Sequence, residues 1–240
     1  MPNKQNKPTK KSLRLTVFFL AIILPLVCLA RGLYGSFLFS FPIVFLWQIG
    51  IEGKRPNSLG LIRPSLISII AGISTGLILG LAGGILLKLL KITGYALTKL
   101  NSLKLGLGPL SFEFALQKEA GYEMLNNSNT ALGLILYFFF CLFIIGLGEE
   151  LFWRGFIQGK ISGKLSDPKA VWLTAILFAL AHFYIFRIVS FGKGLFFLIL
   201  IGLSGAVWGY LMSCFKNIYS CAISHGIAAF IIWKYFFFAT

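Results

Sequence analysis

Acidic residues and histidines are scarce in this chain, and so is charge of any kind. The 240 residues include seven Asp and Glu and two His, and only 12% are charged, whereas 58% are hydrophobic. The mean hydropathy is +0.86. A soluble domain of this length would carry about 25% charged residues. The shortage of charge excludes a soluble globular protein and predicts an all-α polytopic membrane protein.

The lack of a basic, aromatic-rich face and of paired cysteines narrows the possible classes of function. The net charge is +15, yet the basic residues lie in the N-terminal tail and the loops and form no face interleaved with aromatic residues. We therefore expect no nucleic-acid partner, and we attribute the charge to topology and anionic lipid. The four cysteines form no C-x-x-C pair, so we expect them to be buried and reduced.

Long apolar runs predict a bundle of about seven transmembrane helices, because each run is close to the roughly 20 residues that a bilayer requires. The predicted spans are about 13–30, 33–51, 65–90, 130–163, 168–187, 194–213 and 218–238. The mixed stretch 91–129 makes the count eight if an amphipathic or re-entrant piece at 107–117 inserts. Residues 1–12 are predicted to be a disordered basic tail.

The distribution of Lys and Arg predicts the orientation. With seven spans, more than half of the 22 basic residues lie on the side of the N-terminal tail. The positive-inside rule then places the N-terminus in the cytoplasm and the protein in the cell (inner or plasma) membrane. The five tryptophans are expected to be mostly interfacial anchors without a catalytic role.

Glycine rows predict close helix packing. Glycines recur every fourth residue at 72, 76, 80 and 84, and again at 155, 159 and 163. Such rows let helix backbones approach closely in lipid.

Two adjacent glutamates and both histidines lie in apolar surroundings. Glu149 and Glu150 follow the apolar run 132–147, and Arg154 comes four residues after Glu150. A charged group at membrane depth costs roughly 2.5–3.5 kcal/mol on insertion scales, so such residues are typically paired or functional. The spacing of Glu150 and Arg154 predicts an ion pair on one helix face.

Helix spacing predicts that these residues converge. Glu149 lies 17 residues before the predicted turn at Ser166, and His182 lies 16 residues after it. Two antiparallel helices rising about 1.5 Å per residue would bring them to nearly the same depth. Glu149 is about 100° around the helix from Glu150 and so can point toward His182. His225 enters from the same side on the last span.

Such a set can activate water. A buried carboxylate can serve as a general base. Two neutral imidazoles can bind a metal, or can position a water molecule and stabilise an oxyanion. These are the groups that amide hydrolysis inside a membrane requires.

The motifs and their order resemble a known family. Residues 149–154 read EELFWR and fit E-E-x-x-x-R, residues 178–182 read FALAH and fit F-x-x-x-H, and His225 begins a third histidine motif. Together they resemble the CPBP family of intramembrane proteases, also called the CAAX protease and bacteriocin-processing (Abi) family. The resemblance covers about 130–230, and the segment 59–61 is similar to the family's upstream region.

The resemblance implies an intramembrane endopeptidase with a conical cavity open to the cytoplasm. Glu149 would activate water, with support from Glu150 and Arg154. His182 and His225 would position that water or a divalent metal such as zinc, with Glu149 as a further ligand, and would stabilise the oxyanion. The resemblance leaves open whether the metal or mainly the glutamate acts.

The apolar runs and the resemblance together predict the domain organisation and the partners. Residues 13–129 would be N-terminal spans and a connecting loop, and 130–240 would be the catalytic core. The substrate would be a peptide or protein in the lipid bilayer, prenylated or not.

One position departs from the family pattern. The third motif commonly reads H-x-x-x-N, whereas Ala229 stands four residues after His225. Losing one such donor typically costs about 10²–10³ in rate. Either a nearby group replaces the amide, with Asn217 and Ser224 as candidates, or the protein is a slow enzyme or an inactive relative that binds a peptide or confers self-immunity. A proton-coupled carrier is a third alternative, which the lack of repeated halves counts against.

Overall fold

The computed structural model describes residues 44–89, 130–187, 189–232 and 234, and every regular element within these ranges is helical. The longer helices are α1 (Leu66–Leu89), α2 (Ala131–Ser162), α3 (Asp167–Ala181), α4 (Phe191–Phe215) and α5 (Ile218–Ile231). Shorter segments are a π-helix at Leu46–Ile51 and 3₁₀-helices at Pro56–Leu59 and Phe183–Arg187.

Three of these helices, α1, α2 and α4, are long and apolar enough to cross a membrane. They match the predicted spans 65–90, 130–163 and 194–213 and support a helical membrane protein. The count of seven is not supported. The predicted span 13–30, most of 33–51 and the stretch 91–129 lie outside the described residues, as does the tail 1–12.

The span predicted at 168–187 is wrong in length. Helix α3 has 15 residues and ends at Ala181, because His182 leaves the helical conformation and a 3₁₀ turn follows. At 1.5 Å per residue α3 is about 22 Å long, shorter than the roughly 30 Å hydrocarbon core of a bilayer. His182 therefore lies at a helix end.

Helix α2 runs without a break past its glycines, as its apolar pattern predicts. It starts at Thr130, whose side chain accepts a hydrogen bond from the Gly133 amide. Its winding changes along the way: Cys141–Leu147 and Leu151–Gln158 are π-helical, and Gly148–Glu150 between them is α-helical. π-helical turns within α-helices are frequent at functional sites. The two glutamates lie at this change of winding.

Helices α1 and α5 touch along the first glycine row, which confirms its predicted close packing. A Cβ atom at Gly72 would lie 2.7 Å from the Ser220 carbonyl oxygen, and one at Gly76 would lie 2.8 Å from that of Ser224. Only glycine permits this approach. In the second row, Gly155 packs closely against the backbone of Leu59, whereas Gly159 and Gly163 meet only ordinary contacts.

Ion pairs join the helix ends at one end of the bundle. Lys160 of α2 pairs with Glu52, and Lys216 after α4 lies 3.0 Å from Asp167 at the start of α3. We call this the basic end. Its basic residues are Lys54, Arg55, Arg63, Lys160, Lys164, Lys169 and Lys216.

Candidate active site

A buried ion pair between Glu150 and Arg154 forms the base of the site. Both side chains are fully buried, and Arg154 Nε lies 3.1 Å from Glu150 Oε2. Arg154 Nη1 donates to Glu150 Oε1 at 3.2 Å. The Nε–Oε2 contact is an ion pair without aligned hydrogen-bond geometry. The pairing predicted from the i, i+4 spacing is confirmed.

Arg154 also ties α2 to the two following helices. Its Nη2 donates to the Gly205 carbonyl of α4 at 2.8 Å. The guanidinium carbon lies 4.8 Å from the ring centroid of Phe178 and 5.5 Å from that of Trp208. Because Arg is planar and stacks on aromatic faces, this one side chain holds three helices together.

The His225 ring is held by a carboxylate and by two aromatic rings. Its Nδ1 lies 2.8 Å from Glu150 Oε1. A carboxylate paired with Arg154 can only accept, so Nδ1 carries the proton and donates, and in the neutral ring Nε2 keeps the lone pair. The ring stacks on Trp208, with centroids 3.9 Å apart and planes 17° apart. Phe178 meets it at right angles, 6.0 Å away.

His182 has the same tautomer for a different reason. Its Nδ1 donates to the Phe178 carbonyl at 2.8 Å, because the F-x-x-x-H spacing puts that carbonyl one helical turn earlier. A carbonyl oxygen only accepts, so Nε2 again keeps the lone pair in the neutral ring. The Phe178 ring lies 4.8 Å from the His182 ring. Both histidines therefore border one aromatic side chain.

Glu149 stands in a different environment from its neighbour Glu150. Its side chain is partly exposed, and its Oε2 is a buried oxygen without a hydrogen-bond partner among the described residues. Glu150 is engaged by both Arg154 and His225. The direction of Glu149 toward His182 stays a prediction. A glutamate–histidine contact that the structure does show joins Glu150 to His225.

Sequence reasoning missed Trp208. The expectation of interfacial anchors is wrong for Trp47, Trp153 and Trp208, which are buried, whereas Trp172 is 46% exposed. Composition offers no signal for this, since an indole ring suits both a membrane interface and a core. Only the crossing of α4 over α5 shows that Trp208 stacks on the site.

Ala229 is buried, and the two candidates for replacing an amide there differ. Asn217 caps α5: its Oδ1 accepts from the Ser220 amide at 3.1 Å. It is therefore engaged at the helix start, away from Ala229. Ser224 is adjacent to His225, and its Oγ accepts from Trp208 Nε1 at 3.0 Å. Ser224 thus connects with the side chain that stacks on His225.

The predicted metal ligands do not form a cluster in the part of the chain that the structure describes. Within the described ranges, no group of three or more His, Cys, Asp or Glu side chains could hold a metal ion. Both histidines have the fixed Nδ1–H that metal-binding histidines typically show, but Glu149 does not complete a cluster with His182 and His225. The divalent metal stays a prediction.

A comparison with protein families identifies this part of the chain. Residues 131–231 match the family model described as Type II CAAX prenyl endopeptidase Rce1-like. No curated protein and no solved structure matches the chain. The match runs from the first residue of α2 to the last of α5 and contains both glutamates, Arg154 and both histidines. The resemblance seen in the motifs is thereby confirmed: the segment 131–231, which contains them, is similar to the Rce1-like CAAX prenyl endopeptidases.

Proposed function

We propose that this protein is an intramembrane endopeptidase in which Glu149 activates the attacking water. The observation that carries the proposal is the difference between the contacts of the two adjacent glutamates. Glu150 Oε1 accepts from Arg154 and from His225, and Glu150 Oε2, which has no aligned hydrogen bond, lies 3.1 Å from the Arg154 Nε cation. Glu149 keeps a buried oxygen without a partner in the described part of the chain. That oxygen can accept a proton from water as a general base.

The reaction then follows from ordinary peptide hydrolysis. Glu149 takes a proton as the water oxygen bonds to the carbonyl carbon of the substrate. The carbon–nitrogen bond breaks, and the proton held by Glu149 passes to the leaving amine nitrogen. The second water proton stays on the new carboxylic acid until the acid ionises and the amine takes that proton, so the products are a carboxylate and an ammonium group, with no other co-reactant.

The histidine tautomers suit the positioning of water. With Nδ1–H donating to Glu150 or to the Phe178 carbonyl, the neutral rings of His225 and His182 offer Nε2 as an acceptor. An Nε2 lone pair can accept a hydrogen bond from water and aim its oxygen. We assign this role to both histidines. Donation to an oxyanion would require a proton on Nε2 as well.

The family description supports a proposal for the substrate class. We propose a membrane-associated peptide or protein, and the first probe is a farnesylated peptide ending in Cys-aliphatic-aliphatic-X beside its unprenylated copy. The full chain in lipid nanodiscs should release the last three residues of the probe. Glu149→Gln should lower kcat at least about 100-fold, as loss of a general base does. Cleavage by Glu149→Gln at the wild-type rate would overturn the proposal.

An inactive relative that binds a peptide is the second candidate, and Ala229 is the observation that favours it. This candidate predicts that the wild type binds the farnesylated probe without cleaving it. Glu149→Gln would then bind the probe equally well. Restoring the family amide by Ala229→Asn would test whether that side chain alone confers cleavage.

We also propose that the basic end faces the cytoplasm in the cell membrane. Seven basic residues and only Glu52 and Asp167 as acidic ones lie at this end within the described ranges. Cytoplasmic loops carry an excess of Lys and Arg. This orientation agrees with the cytoplasmic N-terminus predicted from the sequence.

A further inference from the structure

We propose that Trp208 is a positioning residue for His225, and that helix α1 holds Trp208 in place through Thr75 and Ser224. The inference rests on the proposed function, because it adds residues to the same site. It extends the site beyond the segment 131–231 to a helix that the family match does not cover.

The hydrogen bond to Glu150 alone does not fix the His225 ring. It anchors one atom, Nδ1, at 2.8 Å, and leaves the ring free to turn about that contact. The stacked indole of Trp208, 3.9 Å away and 17° from parallel, sets the plane of the ring. The plane decides where Nε2 points, and Nε2 is the atom that would hold the water.

Trp208 in turn is fixed by Ser224. Its Nε1 donates to Ser224 Oγ at 3.0 Å, and both side chains are buried. A buried indole N–H without an acceptor costs about 1–3 kcal/mol, so this bond selects one orientation of the ring. An indole nitrogen can only donate, and the serine hydroxyl is its acceptor.

Ser224 is linked to α1 by a second hydroxyl. Thr75 Oγ1 and Ser224 Oγ are hydrogen-bonded at 3.0 Å, and Thr75 Oγ1 also lies 2.6 Å from the Ala71 carbonyl oxygen. The close approach of α1 to α5 at Gly76 keeps the two hydroxyls in reach, since a Cβ there would meet the Ser224 carbonyl oxygen. Position 75 is therefore three contacts away from the stacked imidazole, through Ser224 and Trp208.

This network gives His225 a support that its own motif lacks. The family pattern has an amide at the position of Ala229, and Ala has no polar atom there. The polar support that the structure gives comes instead from the residue before His225, and it reaches the ring through α4 and α1. Variants of Thr75 should therefore affect catalysis although α1 contributes no titratable group to the site.

Histidine-selective NMR tests the positioning without any need for activity. The chain has two histidines, so ¹⁵N,¹³C-histidine labelling in nanodiscs gives two imidazole signals, which a His182→Gln variant assigns. We expect Ser224→Ala and Thr75→Val to shift or broaden the His225 signals and to leave those of His182 in place. Thr174→Val is the matched control, because Thr174 is buried and its hydroxyl has no hydrogen-bond partner in the described part of the chain. His225 signals that coincide with wild type in both variants would overturn the proposal.

Kinetics with the farnesylated probe give a second, independent test. Trp208→Phe keeps a ring but lacks the N–H, and we expect kcat to fall about 10-fold with KM within about 2-fold, as for other groups that orient a catalytic histidine. Trp172→Phe, at an exposed position, should match wild type, and Thr75→Ser should restore what Thr75→Val loses. Wild-type kcat in Trp208→Phe would contradict the positioning role. An inactive wild type would contradict the proposed function. The NMR result would still show whether Trp208 and its partners position the His225 ring.

Discussion

The Glu150 carboxylate binds His225 Nδ1 at 2.8 Å across 75 residues of sequence, while Glu149 beside it keeps a buried oxygen without a hydrogen-bond partner among the described residues. Two carboxylates that are neighbours in the chain thus have different surroundings. Glu150 is a structural anchor for Arg154 and His225. Glu150 Oε2 also makes no aligned hydrogen bond, but it lies 3.1 Å from Arg154 Nε, and the proposal that Glu149 accepts the proton rests on this contrast.

Breaking the buried ion pair should destabilise the protein strongly. Arg154→Leu leaves the Glu150 charge fully buried with its cation removed, and we expect a loss of about 3–5 kcal/mol in the free energy of unfolding. Reversible unfolding in mixed micelles measures it. Lys216→Ala removes an exposed ion pair with Asp167 and should cost at most about 1 kcal/mol. Equal losses in the two variants would contradict the burial of the pair.

Adding one methyl group to α1 should separate it from α5. Gly76→Ala places a Cβ 2.8 Å from a backbone oxygen of α5. Because the clashing atom belongs to the backbone, no side-chain rotation can relieve the clash. Overpacking of this kind costs about 1–3 kcal/mol. Gly192→Ala is the matched control, because its Cβ would meet nothing within 4 Å. Thermal unfolding of both variants checks the difference. A stable Gly76→Ala would argue against the close contact.

Glu52 should make stability depend on pH at the basic end. Burial raises the pKa of Glu52, but hydrogen bonds from Lys160, Trp47 and Lys54 outweigh that effect and lower it to about 2. A folded-state pKa below the unfolded value gives stability that is present above about pH 4.5 and is lost as the pH falls through about 2. Glu52→Gln should therefore lower the melting temperature at pH 7, and the gap to wild type should narrow between pH 4.5 and 2. A gap that does not change with pH would contradict this origin.

Cysteine labelling should report the orientation. In a chain whose native cysteines are replaced, Lys216→Cys at the basic end should react with a membrane-impermeant maleimide only after the cells are permeabilised. Lys193→Cys, at the opposite end of α4, should react in intact cells. The reverse pattern would place the basic end outside and contradict the orientation drawn from the positive-inside rule.

The features that depend on contacts within one helix could be predicted from the sequence. The limits of α2 and the Glu150–Arg154 pair follow from apolar length and from i, i+4 spacing. The partner of His225 could not be found in this way, because it depends on how α2 and α5 are rotated about their axes. The π-helical turns on both sides of Gly148–Glu150 change that rotation, and spacing along an ideal α-helix does not include them.

The early end of α3 escaped prediction for a related reason. Residues 183–187 are apolar enough to extend a span, so the hydropathy pattern predicted a helix that continues past His182. The F-x-x-x-H motif was recognised in the sequence, but the contact that it makes was not predicted. The Phe178 carbonyl binds Nδ1 of His182 at the end of the helix. Trp208 had no sequence signal, since only packing between helices brings it to His225, and Ser224 was predicted only as a substitute for the missing amide, without its contact to Trp208.

Hydrolysis in ¹⁸O-labelled water tests the central claim most directly. The full chain in nanodiscs is incubated with the farnesylated probe in H₂¹⁸O, and mass spectrometry of the new carboxylate follows, with wild type beside a folded Glu149→Gln. We expect ¹⁸O in the product of the wild type and no product above background from Glu149→Gln. Labelled product at the wild-type rate from Glu149→Gln would contradict the role of Glu149 as the base.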